Sequence, residues 1–278
     1  MRKMSPPQKP TGFDSKVSKH RANVRKKIKA GKMPKFVDAW RSIEFKRVLT
    51  IAQHGNCAFC EMKVHGAQNG DVEHFFPKSQ LSELGADPKT WGKELPGVTS
   101  VAGRKTNRLS RQGYWWKAYE WENYLLSCLV CNSKWKRTIF PVKETHRKLP
   151  PSSRTRETPL LLSPFRGPSP YTHLLFDSTG MVSANSGSPF GRETIKTCGL
   201  NRESLSSSRK GIFCTLLCQL EDFRKCKGNT EIYKRSIRTM FQLGQPDRAH
   251  SGMVRNVIAR ELGVKWPELE RLYQKFWP

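Results

Sequence analysis

Two short segments decide how this sequence folds: Cys57-Ala58-Phe59-Cys60 and, far downstream, Cys128-Leu129-Val130-Cys131. Each is a Cys-x-x-Cys turn. Two residues between thiolates let one tight turn offer two sulfurs to the same ion, and two such turns complete a tetrahedron. Either pair alone is open to a redox reading or to coincidence. Together they predict a four-sulfur zinc site of Cys57, Cys60, Cys128 and Cys131, although residues 61–127 make a longer loop than a compact zinc ribbon has. A closed four-sulfur site leaves no position for water, so its Zn2+ is expected to be structural and not catalytic. The other four cysteines, Cys198, Cys214, Cys218 and Cys226, follow no ligand spacing and read as free thiols filling a core.

Between and around the two turns lie the residues that could do chemistry. Asp71-Val72-Glu73-His74-Phe75-Phe76-Pro77-Lys78 follows the first turn. Glu122-Asn123-Tyr124-Leu125-Leu126-Ser127 runs into the second, and Asn132-Ser133-Lys134 leaves it. An alternating strand ending in Glu73-His74 sets a carboxylate beside an imidazole. Hydrolysing a phosphodiester needs a base to activate water and a hard cation to stabilise the leaving oxygen. Glu73 and Asn132 offer oxygen ligands suited to Mg2+ or Mn2+, and His74 can serve as the base. A Glu-His pair taken alone is more often structural; the framing by both cysteine turns gives this one its weight.

At this point residues 57–140 resemble the HNH (ββα-metal) endonuclease family, in its four-cysteine zinc subgroup. The family pattern places an acid-His pair on the first strand, Asn on the second, and His or Asn on the helix. Glu73-His74, Asn123 and Asn132 match those positions. The resemblance implies an α+β fold, mainly helical, with a ββα-metal core stapled by zinc. It implies His74 as general base, Glu73 with Asn132 as holders of a catalytic Mg2+ (or Mn2+), and Asn123 as the residue orienting the histidine loop through backbone hydrogen bonds. Two positions depart from the commonest pattern. Glu73 stands where Asp is usual, one methylene longer, and Asn132 stands where many members have His, giving a neutral and weaker ligand.

The segments Val72-Glu73-His74-Phe75, Tyr114-Trp115-Trp116, Trp121-Glu122-Asn123, Pro159-Leu160-Leu161-Leu162-Ser163-Pro164 and Gly199-Leu200-Asn201-Arg202 are similar to a subfamily containing the HNH component of Septu-type antiphage systems. That likeness spans about residues 38–210. It implies a DNA-cutting effector in complex with an ATPase, in some systems with a retron reverse transcriptase and its msDNA. Two other functions compete: a non-catalytic zinc module that docks nucleic acid, and an RNA- or tRNA-cleaving toxin on the same site. Retention of Glu73, His74, Asn123 and Asn132 together favours an enzyme.

Composition agrees with a polyanion partner. Across 278 residues, 50 Lys and Arg against 23 Asp and Glu give a formal net charge of +27. Such a field attracts phosphate backbones and gains from counterion release, so nucleic acid is the leading partner; acidic membranes and ribosomes share the same charge argument, and DNA comes first only as what the resemblance implies. No run of eighteen apolar residues exists, and MRKMSPPQKP lacks the apolar stretch of a secretory signal, so a soluble, cytoplasmic protein is expected.

Four regions follow. Residues 1–37 form a basic arm with a helix over Ser15 to Lys29. Residues 38–145 form the nuclease core, opening on a helix after Asp38 with the apolar stripe Trp40, Ile43, Val48, Leu49, Ile51 and Ala52. Residues 146–190 are a proline-rich connection with a hairpin over His173 to Val182. Residues 191–278 are helical, with Leu205, Ile212, Phe213, Leu216, Leu217, Leu220 and Phe223 as an apolar face. Within the core, Arg104, Lys105, Arg108 and Arg111 precede Tyr114, Trp115 and Trp116 in a stretch without acids. The arginines and lysine, with Lys134, are expected to contact phosphates, and the tryptophans, with Trp121, to fill the core.

Overall fold

The computed structural model describes residues 1–64, 70–84, 106–143, 157–226 and 230–278. Helix α1 (Phe13–Lys29) buries Phe13, Val17 and Val24, spaced so that all three fall on one face. Asp14 in its first turn and Lys26, Lys27 and Lys29 in its last match the helix dipole. Helix α2 (Ile43–Ala52) follows a short 3-10 turn over Ala39–Arg41. Its inner face is Phe45 and Leu49, while Ile43 and Ile51 are exposed. The expected stripe assumed one continuous helix from Trp40. The break at Ser42 changes the phase, and only Trp40 and Leu49 of that stripe are fully buried.

Strand β1 (Asp71–His74) pairs antiparallel with a strand from the far side of the insertion, here β4 (Tyr124–Ser127), with Asp71 opposite Ser127 and His74 opposite Tyr124. The chain then turns through the second cysteine pair into a π-helical segment, Val130–Lys136, the knuckle helix. The insertion between β1 and β4 holds a second antiparallel pair, β2 (Leu81–Leu84) and β3 (Thr106–Ser110), with an irregularity at Leu81/Ser82. The expected hairpin is present as β5 (Leu174–Phe176) and β6 (Val182–Ala184). Its turn is made by Asp177, whose Oδ1 accepts from the N–H groups of Thr179 (2.9 Å) and Met181 (3.1 Å).

Five helices complete the chain: α3 (Pro189–Cys198), α4 (Glu203–Lys225), α5 (Glu231–Leu243), α6 (Ser251–Leu262) and α7 (Trp266–Phe276). Two-stranded sheets are marginal by themselves. Here α2 lies on β4, α3 on β6 and α6 on β5. One contiguous core links Phe13, Leu49, Leu126, Phe140, Leu162, Leu216, Met253 and Leu269. The result is a mixed α+β protein, about half helical, with small sheets. Among the described residues no helix is long and apolar enough to cross a membrane.

One expectation is corrected. Cys198 is buried, but Cys214 and Cys218 are exposed and Cys226 is half-buried. Leu205, Phe213, Leu216 and Leu220 already occupy the inner face of α4, which turns Cys214 and Cys218 outward. The boundary expected at residues 145–146 lies outside the described residues.

Candidate active site and metal knuckle

The first cysteine turn closes through backbone hydrogen bonds from Cys57 N to Met62 O (2.9 Å) and Glu61 N to Cys57 O (3.0 Å). Ala58 N donates to Leu126 O (2.9 Å), which pins this turn to the end of β4. The second turn begins where β4 stops. Cys131 N donates to the Cys128 sulfur at 3.4 Å, the geometry by which a turn backbone steadies a thiolate. The sulfurs of Cys57, Cys60, Cys128 and Cys131 lie within 4.8 Å of one another and all four residues are buried. This donor set fits a tetrahedral zinc closed to water. It is the one convergence of three or more His, Cys, Asp or Glu ligands among the described residues.

At the other end of the β1–β4 pair, strand alternation separates Glu73 from His74, because successive side chains project to opposite faces. The His74 ring packs in T-shaped contact with Trp40 (centroids 4.6 Å) and with Tyr124 (5.1 Å). Its Nε2 lies 2.9 Å from the carbonyl oxygen of Ala118. A carbonyl only accepts, so Nε2 carries the hydrogen and Nδ1 keeps the lone pair. The Tyr124 hydroxyl donates to the same carbonyl at 2.8 Å. Burial, and secondarily the charge of Lys78, hold the imidazole pKa well below its ordinary value, so the ring is neutral.

Glu73, also buried, forms an ion pair with Lys136, the last residue of the knuckle helix. The Lys136 ammonium also donates to the His74 carbonyl oxygen at 2.9 Å, and its side chain is wholly buried. Burial pushes the Glu73 pKa up, and Lys136 opposes that shift. The knuckle helix thus carries a counterion from the cysteine cluster back to β1.

The Asn123 side chain makes three hydrogen bonds: Oδ1 accepts from Phe76 N (2.8 Å), and Nδ2 donates to Phe76 O (3.1 Å) and Lys117 O (3.0 Å). These tie the loop after His74 to the 3-10 turn Trp115–Lys117, whose next residue is Ala118. Asn123 ends the 3-10 turn Trp121–Asn123 immediately before β4, one position short of the strand in which it was expected. Asn132 is half-buried on the knuckle helix, and no hydrogen bond joins it to Glu73. The cation against Glu73 is the Lys136 ammonium.

Sequence reasoning missed three contributors: Lys136, Trp40 as a wall of the His74 pocket, and the Ala118 carbonyl. Trp40 is itself roofed by Lys78, whose ammonium lies 4.2 Å from the ring centroid. In a chain with 50 Lys and Arg, one more lysine carried no signal. Of the expected phosphate contacts, Arg108, Arg111 and Lys134 are exposed, and Arg104 and Lys105 lie outside the described residues. Trp121 is buried, and Trp115 and Trp116 are half-buried against the core.

Compared with known proteins, the chain is 30% identical over 173 residues to a Septu protein PtuB of Bacillus mycoides (strain KBAB4). The match covers 62% of this chain and 52% of that protein, so the chain spans about half the length of the relative. No family model matches the chain.

Proposed function

We propose that the protein is an HNH-type endonuclease that hydrolyses phosphodiester bonds of DNA, working as the nuclease of a Septu-type defence complex with an ATPase partner. The observation that carries this reading is the contact of His74 Nε2 with the Ala118 carbonyl oxygen, which sets the tautomer. With Nε2–H committed to the Ala118 carbonyl, the Nδ1 lone pair is free to take a proton from water as that water attacks phosphorus. Depression of the imidazole pKa keeps the base form populated at neutral pH. Asn123 fixes the loop on which this geometry depends.

Two oxygens, from the Glu73 carboxylate and the His74 carbonyl, converge on a cation, and that cation is an ammonium. Glu73 and Asn132 are the residues that would hold Mg2+ or Mn2+, with the ammonium displaced from Glu73. A bound dication supplies Lewis-acid stabilisation of the leaving oxygen. The exposed Arg108, Arg111 and Lys134 supply sequence-independent affinity for the backbone. The zinc held by the four cysteines keeps the two strands and the knuckle helix together. The similarity to a Septu protein supports the defence role and the partner.

A non-catalytic zinc module is the competing reading, favoured by the engagement of Glu73 with Lys136 and by the 5% exposure of His74. Plasmid DNA and total RNA incubated with the protein, in Mg2+ or in EDTA, separate the readings. The runs are made with the protein alone and with the product of the neighbouring gene. Mg2+-dependent loss of supercoiled DNA with RNA spared is expected. Cleavage of RNA alone would move the protein to the toxin class. No cleavage in any combination would leave a binding module.

A further inference from the structure

The cysteine cluster has a charged neighbour from a distant part of the chain. Arg202, in the turn between α3 and α4, is 7% exposed. One of its terminal nitrogens donates to the carbonyl oxygens of Cys198 (3.1 Å) and Gly199 (3.2 Å), and the other to the sulfur of Cys131 (3.4 Å). Among the described residues no carboxylate pairs with this guanidinium. A guanidinium does not give up its proton, and burying its charge is expensive unless a counter-charge is met. Four thiolates around one dication carry excess negative charge, and they are the anionic group that Arg202 reaches.

The turn is shaped to deliver this contact. Gly199 ends α3 with φ 57°, and a Cβ there would come within 2.1 Å of the Trp135 ring on the knuckle helix. Only glycine allows the end of α3 to close on that helix. Arg202 then follows within hydrogen-bond reach of Cys131, which lies on the same helix.

We propose that Arg202 is a positioning residue of the zinc knuckle: its N–H···S bond to Cys131 offsets thiolate charge and slows loss of the metal, making the C-terminal helical region part of the metal site. This rests on the reading of the cysteine cluster as a zinc site. Outer-shell partners of this kind change metal affinity by about 10–100-fold.

The test uses the full chain purified with its metal, zinc content by elemental analysis, and the rate of zinc release to an excess of chelator. Arg202→Gln should release zinc about 10–100-fold faster than the parent, and Arg202→Lys, which keeps the charge but not the fork, should lie between. Asn201→Ala is the control for a merely structural turn. Asn201 holds the backbone N–H and carbonyl of Val182 and touches no sulfur, so its zinc release should stay at the parent rate. Equal release from Arg202→Gln and the parent overturns the inference, as does equally rapid release from Asn201→Ala. A parent protein without zinc overturns the underlying metal reading and the inference with it. If Arg202→Gln does not fold, cobalt-substituted Arg202→Lys decides. Shifted sulfur-to-cobalt charge-transfer bands support the N–H···S contact, and an unchanged spectrum overturns it.

Discussion

At the Asp71–Ser127 end of the β1–β4 pair, four identical side chains meet at one point; at the His74–Tyr124 end, two neighbouring side chains part company. The cysteines need nothing from one another but proximity, and their spacing supplies it. Glu73 and His74 are adjacent in sequence yet face opposite sides of β1. Each is completed by a group that no local pattern announces: Lys136 for the carboxylate, and the Ala118 carbonyl and Trp40 ring for the imidazole. Repetition of one ligand type is visible in a sequence, whereas complementation by unlike partners becomes visible only after folding.

The comparison breaks first at the cysteines. Cys128→Ser should remove the metal and with it cooperative folding, because apparent binding energies of structural zinc, about 10–16 kcal/mol in small domains, are folding energy. Circular dichroism melting beside zinc content checks this. A soluble Cys128→Ser protein with unchanged melting would show that the cluster holds nothing the fold depends on.

The next largest effect lies in the other region. Lys136→Met leaves the Glu73 carboxylate buried without its partner, and should cost about 3–5 kcal/mol of stability. Adding Glu73→Gln to it should restore most of that loss. Recovery of the single variant in Mg2+ or Mn2+ would sharpen the comparison, since it would mean that the ammonium and a dication share one place. If the single variant melts like the parent, the ion pair is not what holds Glu73 inside.

Asn123→Ala should follow with a loss of about 1–3 kcal/mol, for it strands the Phe76 N–H and two carbonyls. On the proposed nuclease reading, cleavage should fall further than stability does, because the Ala118 carbonyl against His74 is reached through the same loop. Parallel melting and cleavage rates measure both; a drop in stability with full activity would detach Asn123 from the site. The smallest effect is expected at Arg137, where φ 49° and ψ −119° end the knuckle helix in a conformation that favours glycine. Arg137→Gly should raise stability by about 1 kcal/mol, read as a higher melting temperature. A lower one would mean that the arginine side chain contributes more than its backbone strain removes.

These residues also show what the sequence could disclose. The cysteine set and the Asp177 hairpin rest on spacing and turn chemistry, and both occur close to where those signals place them. The helix of the basic arm is present as α1, but its charge run gave no sign that Phe13, Val17 and Val24 would be buried. The stripe after Asp38 was misphased because a 3-10 turn interrupts a period that assumes one helix. Cys214 and Cys218, expected in the core, are exposed because α4 has more apolar residues than its inner face can take. Lys136 and Arg202 were opaque for a common reason. In a chain this basic, a buried cation differs from a surface cation only in what surrounds it after folding.

The proposal that this is a nuclease with His74 as its base is tested most directly by single-turnover cleavage of a DNA duplex. His74→Ala is compared with the parent in Mg2+, with duplex affinity measured on the same samples. A positioned general base contributes about 10²–10⁴-fold. A loss of that size with affinity and melting nearly unchanged is predicted. Cleavage by His74→Ala at the parent rate would contradict the assignment of the site.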